Sequence, residues 1–411
     1  MWFPSQLALL SAHWILERAG YERSEMERRG TMKSSWSLSG ALTPLSHRAA
    51  LEASHPEAFI SHDAIQASYD GFIQVCTLGG KAFEVSEIGV VPFILASHSW
   101  ETPTHADPTG RTLAAIAKNL ARQMPTFQAW GFDDVGVFFD FSCMYQTIDG
   151  EVERTPMQES LHQKAIHRIG VWFAHRLTTV WVVDNEPTVT PPRAQRGIAC
   201  FEEALCRLFK EIPPSKPFKV KGGALVPAWP KHILLSHPDI QGDENGVNPQ
   251  AGAPKQMPPL SAPHFIERCR KLTFSGGDAE RTHVEHLYRA AVEDGYNSLS
   301  RLAYSRCDWT DDDVEELAST LCEIPCPNVT ELDLSWNDMR EGSGLEAIGR
   351  AIALGALHSL QVLNLINCTA IKTLPASLEV RHPLLTLACA TPPILIQGGA
   401  LVRRSYLSCT R

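Results

Sequence analysis

What this chain of 411 residues lacks narrows its possibilities before anything it contains. Its 11 cysteines include no C-x-x-C pair. The closest spacings, Cys322 with Cys326 and Cys200 with Cys206, are not those of a zinc site, and an odd, scattered set points to reduced thiols in a cytosolic protein rather than a disulfide framework. Long apolar runs are missing too. The longest, from Ile88 to Ala96, is broken by Pro92 and falls far short of the roughly 18 residues a membrane span needs, so no span is expected. The first twenty residues carry neither a basic stretch nor a small-residue cleavage site, so no secretory leader is expected and the chain reads as cytoplasmic.

Concentrated positive charge is absent as well. The net charge of -9 divides into -1 over residues 1–83, -4 over 84–210, 0 over 211–267 and -4 over 268–411. None of these segments offers the basic footprint that nucleic acid requires. There is no P-loop, and Gly342-Ser-Gly344 with Gly349 misses the dinucleotide spacing. His98 and His105, seven residues apart, do not have metal-ligand spacing. Neither a metal nor a cofactor is expected.

A composition of 44% hydrophobic and 20% charged residues is that of a globular protein, and the length suits two or three domains. Residues 1–69 read as an N-terminal arm. Leu7, Leu10, Trp14 and Ile15 suggest one helix within 5–30, and the Ser-, His- and Pro-bearing stretch 31–69 shows no period. Phe72–Leu78, Gly79-Gly80 and Lys81–Val85 suggest a hairpin at the start of a domain covering 70–210. Within it, Val90–Ala96, Val135–Phe141 and Thr179–Val183 are apolar, strand-like runs. They alternate with helical stretches at 109–130 (Leu113, Ile116, Leu120) and 155–176 (Ile166, Ile169, Trp172, Phe173). Strands alternating with helices imply an α/β fold with a parallel sheet covered on both faces. Residues 211–267 hold 11 of the 28 prolines and read as an extended linker.

Polar residues cluster where those strands should end, and ligands of open parallel sheets bind beyond the carboxyl ends. Ser97 and Trp100 follow the first run, with His98 between them; Asp140, Cys143 and Gln146 follow the second; Arg196, Gly197 and Glu202 follow the third. These residues resemble the S-x-x-W, W-x-D-x-x-C-x-x-Q and R-G-W-x-x-x-E motifs of the fungal heterokaryon-incompatibility domain and, more broadly, the Toll/interleukin-receptor (TIR) domain, over about residues 84–210. Ile198 replaces the tryptophan of the third motif. The resemblance implies a flavodoxin-like fold and a ligand pocket lined by Ser97, His98, Trp100, Asp140, Gln146 and Arg196. It also implies either a signalling effector and self-association module or, in a catalytic alternative, an NAD or nucleotide glycohydrolase with Glu202 as the acting carboxylate. The residues alone also allow Glu202 to be an ordinary acid in a helix's first turns, and Cys143 to be an inert core thiol rather than a nucleophile.

The last third carries a period. Lys271-Leu272, Arg301-Leu302, Glu331-Leu332 and Val362-Leu363 open four segments whose leucines lie 30, 30 and 31 residues apart, with helical stretches at 279–293, 311–322 and 344–354 between them. The segments resemble leucine-rich repeats of the long, ribonuclease-inhibitor-like kind. Cys307, Asn337 and Cys368 take the closing position, and Gly277 departs from it. The resemblance implies a short α/β solenoid over 268–390, with a shorter repeat at Thr373–Leu378 and a tail at 391–411. Its concave face would bind a protein partner through Lys271, Arg301, Arg306, Glu331, Asp333, Trp336 and Asn364. The expected whole is an intracellular recognition and signalling protein.

Overall fold

A computed structural model describes residues 8–28, 31–61, 63, 93–102, 104–129, 134–148, 152–174, 178–184, 191–209, 218–219, 225–226, 232–235, 257–324, 326–368 and 386–388. The expected hairpin at 72–85, the short repeat at 373–378 and the tail at 391–411 lie outside these residues. The fold is α/β. The chain forms two compact units, residues 1–194 with 213–254, and residues 195–212 with 255–411.

The first unit opens with β1 (Leu10–Ser11) and α1 (Ala12–Arg18). The Ser11 hydroxyl caps α1 by accepting from the Trp14 amide at 3.2 Å. The helix expected within 5–30 stops at Arg18, because the charged stretch beyond Glu17 offers no apolar face to bury and Gly20 turns the chain at φ 81°. That stretch becomes β2 (Tyr21–Arg28), paired antiparallel with β3 (Thr31–Leu38), with Tyr21 opposite Leu38 and Arg28 opposite Thr31. α2 (Arg48–Ser54) follows. The supposed arm is therefore part of the core: Leu9, Leu10, Ile15, Leu16 and Leu51 are buried.

The three apolar runs form β4 (Phe93–Ser97), β5 (Gly136–Phe138) and β6 (Thr178–Val182), each buried along its length. That burial on both faces is what a parallel strand under helices requires. α3 (Arg111–Ala129), the single turn α4 (Asp140–Cys143) and α5 (Pro156–Ala174) connect them. After β6 the described residues include β7 (Phe218–Lys219), paired with β8 (Leu225–Val226), and β9 (His232–Leu234). The sheet order is β1-β5-β4-β6-β9. β1 runs antiparallel at one edge, with Leu10 opposite Val137, and the other pairings are parallel. β9 sets Ile233 beside Trp181, so the proline-rich stretch supplies a strand instead of only a linker. Because β5 and β6 flank β4, the strand order reverses at β4.

The second unit contains α6 (Gly197–Phe209), α7 (Ala262–Cys269), α8 (Gly277–Ser298), β10 (Arg301–Ala303), α9 (Asp311–Glu323), β11 (Glu331–Asp333), α10 (Ser343–Ala353), β12 (Val362–Asn364) and β13 (Thr386–Ala388). Its four strands are parallel in the order β10-β11-β12-β13. Leu302, Leu332, Leu363 and Leu387 sit opposite one another along the sheet, and the first three are buried. Leu272, expected as the first rung, is not in this ladder. Residues 271–276 fill the short turn between α7 and α8, where Thr273 bridges in parallel to Arg196 and Leu272 is half-buried.

Candidate functional site

In the first unit the carboxyl ends of the neighbouring parallel strands β4 and β5 lie side by side, and five of the expected pocket residues meet there. Asp140, at the start of α4, is the hub. Its Oδ2 accepts from the Trp100 indole at 2.8 Å, and its Oδ1 lies 3.3 Å from Nε2 of His98. The His98 ring stacks on Phe139 at 4.3 Å, and Trp100 stands edge-on to Phe141 at 5.5 Å. Gln146 locks the turn from below, its amide donating to the Asp140 carbonyl at 2.9 Å and the Met144 carbonyl at 3.3 Å. Ser97, fully buried at the end of β4, accepts from the Arg193 guanidinium. The result is a carboxylate held by an indole, with an imidazole nitrogen 3.3 Å away, beside a hydroxyl held by a guanidinium.

The surrounding shell is also polar and internally paired. Asp107 caps α3, its carboxylate accepting from the amides of Thr112 at 3.0 Å and Leu113 at 2.7 Å. Burial nonetheless pushes its carboxyl above the usual range. With Asp107 occupying that helix N-terminus, the position that holds phosphate in many α/β folds is already filled by a carboxylate. Cys143 is an inert thiol: it is buried, it lies 3.2 Å from the Phe139 amide, and burial pushes its pKa up to about 12.

Arg196 and Glu202 do not belong to this unit. Arg196 pairs with Thr273, and the Gly197 amide donates to the Thr273 carbonyl at 2.8 Å. Glu202 is a half-buried residue of α6, and the helix is bound within the second unit at both ends. At its far end the Leu208 carbonyl accepts from the Tyr304 hydroxyl at 2.9 Å, and Tyr304 accepts in turn from Tyr296 at 2.8 Å. Burial raises both phenols. Phe201 of α6 meets Phe265 of α7, which stacks on Tyr288 of α8 at 4.0 Å. The helix that follows β6 in sequence thus folds into a separate aromatic core.

The second unit's sheet carries its expected partner-binding residues in two groups. Arg301 is neutralised within the sheet, its guanidinium 3.1 Å from Glu331 and 2.9 Å from Asp333. Asp333 is buried and also accepts from the Ser335 amide and hydroxyl, which braces the strand. Asn364 does the same one strand on, accepting from the Ile366 amide at 3.1 Å. Arg306 and Trp336 form the second group: the guanidinium carbon sits 4.3 Å over the indole, which is 49% exposed. Lys271 is exposed in the α7–α8 turn, outside the sheet.

Several working residues left little trace in the sequence. Arg193 opens a single 3-10 turn, Arg193–Gln195, after two prolines. Arg48, buried on α2, pairs with Glu52 at 2.8 Å, donates to the Cys143 carbonyl at 3.2 Å and lies 4.1 Å over the Tyr145 ring, which fastens the turn behind Asp140. A lone arginine in an aperiodic stretch gives no pattern from which such a role could be read. No described group of His, Cys, Asp and Glu could hold a metal ion, and no described helix is long and apolar enough to cross a membrane. No family model, curated protein or solved structure matches the chain.

Proposed function

We propose that the chain is an intracellular recognition and signalling protein whose second unit binds a protein partner through a leucine-rich-repeat sheet, while its first unit, a TIR-like domain, acts as effector or self-association module. The observation that carries this is the recurrence of one local structure in the second unit. Leu302, Leu332 and Leu363 pair in parallel register, and in the turn after each strand Arg306, Trp336 and Asn367 adopt the same left-handed backbone at φ 59°, 63° and 58°. Three successive segments with one register and one turn support a repeat architecture, and such architectures present extended sheets to partners. For the first unit, the parallel order β5-β4-β6-β9, with β4 flanked by its two successors, supports a flavodoxin-like reading.

The glycohydrolase alternative has no comparable support. Ser97 and Asp140 fold with the first unit and Glu202 with the second.

The test compares recovery of a crosslinked partner by wild type, by the sheet variant Arg301→Glu with Asn364→Arg, and by the helix-surface control Glu315→Arg. Recovery should fall only for the sheet variant, with melting temperatures unchanged in the control. Equal recovery from all three would remove the recognition role from the sheet. Sedimentation across a concentration series tests self-association, for which a single concentration-independent species is the opposing result.

A further inference from the structure

Among the charged groups on the second unit's sheet, one is built differently from the rest. Arg301 is tied to Glu331 and Asp333. Arg306 has no carboxylate partner among the described residues; its guanidinium carbon lies 4.3 Å from the centre of the exposed Trp336 ring. A guanidinium over an aromatic ring does not spend its N–H donors on that ring, an arrangement suited to gripping a carboxylate through two parallel hydrogen bonds.

The backbone adds a second, independent observation. Arg306 and Trp336 occupy left-handed positions, φ 59° and 63°, in a place where the next turn has Asn367 at φ 58°. Asparagine tolerates that conformation and larger side chains resist it. At two of three equivalent turns the chain therefore carries a residue its backbone disfavours, and those two side chains form the stacked pair. Backbone strain kept for the sake of particular side chains is a mark of a functional position.

We propose that the Arg306–Trp336 pair is the docking point for an acidic peptide segment, with a glutamate or aspartate carboxylate on the guanidinium and the adjoining side chain lying against the indole. The proposal rests on the repeat-sheet reading above and adds the chemistry of the partner. Charge complementarity selects the occupant: Arg306 is a cation with no carboxylate partner among the described residues, and it lies against an exposed indole.

The test uses the full chain and three rhodamine-labelled peptides, hexaglutamate, hexaglutamine and hexalysine, followed by fluorescence anisotropy. Hexaglutamate should bind, the other two should bind at least about tenfold more weakly, and raising the salt from about 50 to 200 mM should weaken the interaction, as expected for an exposed charge. Arg306→Asn is the informative variant. It places in this turn the residue that the next turn uses, so the fold should be retained or stabilised while hexaglutamate affinity falls about tenfold or more. Arg306→Lys, which keeps charge but loses the planar fork, should fall in between, and Trp336→Asn should also lose affinity without loss of melting temperature. Equal binding of hexaglutamine or preference for hexalysine overturns the proposal. So does unchanged hexaglutamate binding by Arg306→Asn, or a marked drop in that variant's melting temperature, which would make the arginine a packing residue. A partner whose recovery depends on Arg301 and Asn364 but not on Arg306 would leave the repeat reading standing and sink this one alone. Binding of hexaglutamate that depends on Arg306, with no partner recovery lost in the Arg301→Glu/Asn364→Arg variant, would do the reverse.

Discussion

The Asn337 side chain holds four backbone groups at once. Its Oδ1 accepts from the amides of Cys307 at 3.0 Å and Trp309 at 3.2 Å, and its amide donates to the carbonyls of Tyr304 at 2.8 Å and Leu334 at 2.9 Å. It is also buried, so removing it strands four groups away from water. Asn337→Ala should cost about 3 kcal/mol or more, given roughly 1–3 kcal/mol for each buried group left unsatisfied and partial relaxation around the gap. Chemical denaturation of the two proteins checks this, and a difference under about 1 kcal/mol would mean that water replaces the side chain. Asp311 holds a comparable place one turn on, its carboxylate accepting from the amides of Arg340, Glu341, Gly342 and Gly344. Burial opposes its ionisation, but the four backbone hydrogen bonds outweigh it and set its pKa below the usual carboxylate value. A depressed folded pKa contributes stability above the unfolded value, near pH 4, and that stability is lost as pH falls through the folded value. Asp311→Asn should therefore destabilise the protein at pH 7 and much less at pH 3, an interaction readable from denaturation midpoints at the two pH values. Thiol reactivity gives a third check. Cys322 is the exposed cysteine among those described and should alkylate first in folded protein, whereas Cys143, pushed up to about 12, should react only after denaturation.

Among the elements, α6 is the most informative. It enters its unit at Gly197, where a Cβ would lie 2.0 Å from the Phe274 ring, so only glycine allows this approach. Gly197→Ala should lower stability by about 1–3 kcal/mol through overpacking and loosen the Thr273 bridge, visible as faster hydrogen exchange at the Gly197 and Thr273 amides. Exchange confined to global unfolding in both proteins would show that the ring simply moves aside. The sequence motif containing this glycine thus has a steric explanation, and its helix belongs elsewhere than its neighbours in sequence suggest. That contrast marks the limit of legibility. The strands β4, β5 and β6 and the helices between them were readable because burial on both faces demands unbroken Val, Ile and Phe. The leucines of β10, β11 and β12 were readable because a fixed period repeats them. β1 is two residues long, β2 and β3 are mostly polar, and β13 follows a stretch with no visible period, so hydrophobicity could not announce them. Ser97, His98, Trp100, Asp140 and Gln146 were legible as a group because strand ends gather them, but their ties to Arg193 and Arg48 depend on tertiary approach alone.

For the molecule as a whole, the two units exchange stretches of chain: residues 195–212 fold with 255–411, while 213–254 return to the first unit. Cuts at 70 and 210, where composition changes, would deprive α6 of Phe265, Tyr288 and Tyr304 and would remove β1 and β9 from the first sheet. Residues 70–210 expressed alone should lack a cooperative melt. Residues 255–411 should gain melting temperature when a peptide of residues 195–212 is added, since that peptide binds the folded form. A sharp transition for 70–210, or no response to the peptide, would show the units to be simpler than this division.

The same exchange has a consequence for synthesis. The carbonyl of Leu208 waits for Tyr304, a residue 96 positions further along. At about 5–20 residues per second a ribosome takes on the order of 5–20 seconds to deliver it. Throughout that interval the face of α6 that carries Phe201, Leu205 and Leu208 has emerged without the aromatic residues that will cover it. The nascent chain should therefore recruit a holding chaperone between the emergence of α6 and that of α8, and ribosome profiling of chaperone-bound chains should show occupancy rising after α6 emerges and falling once residues 288–304 clear the tunnel.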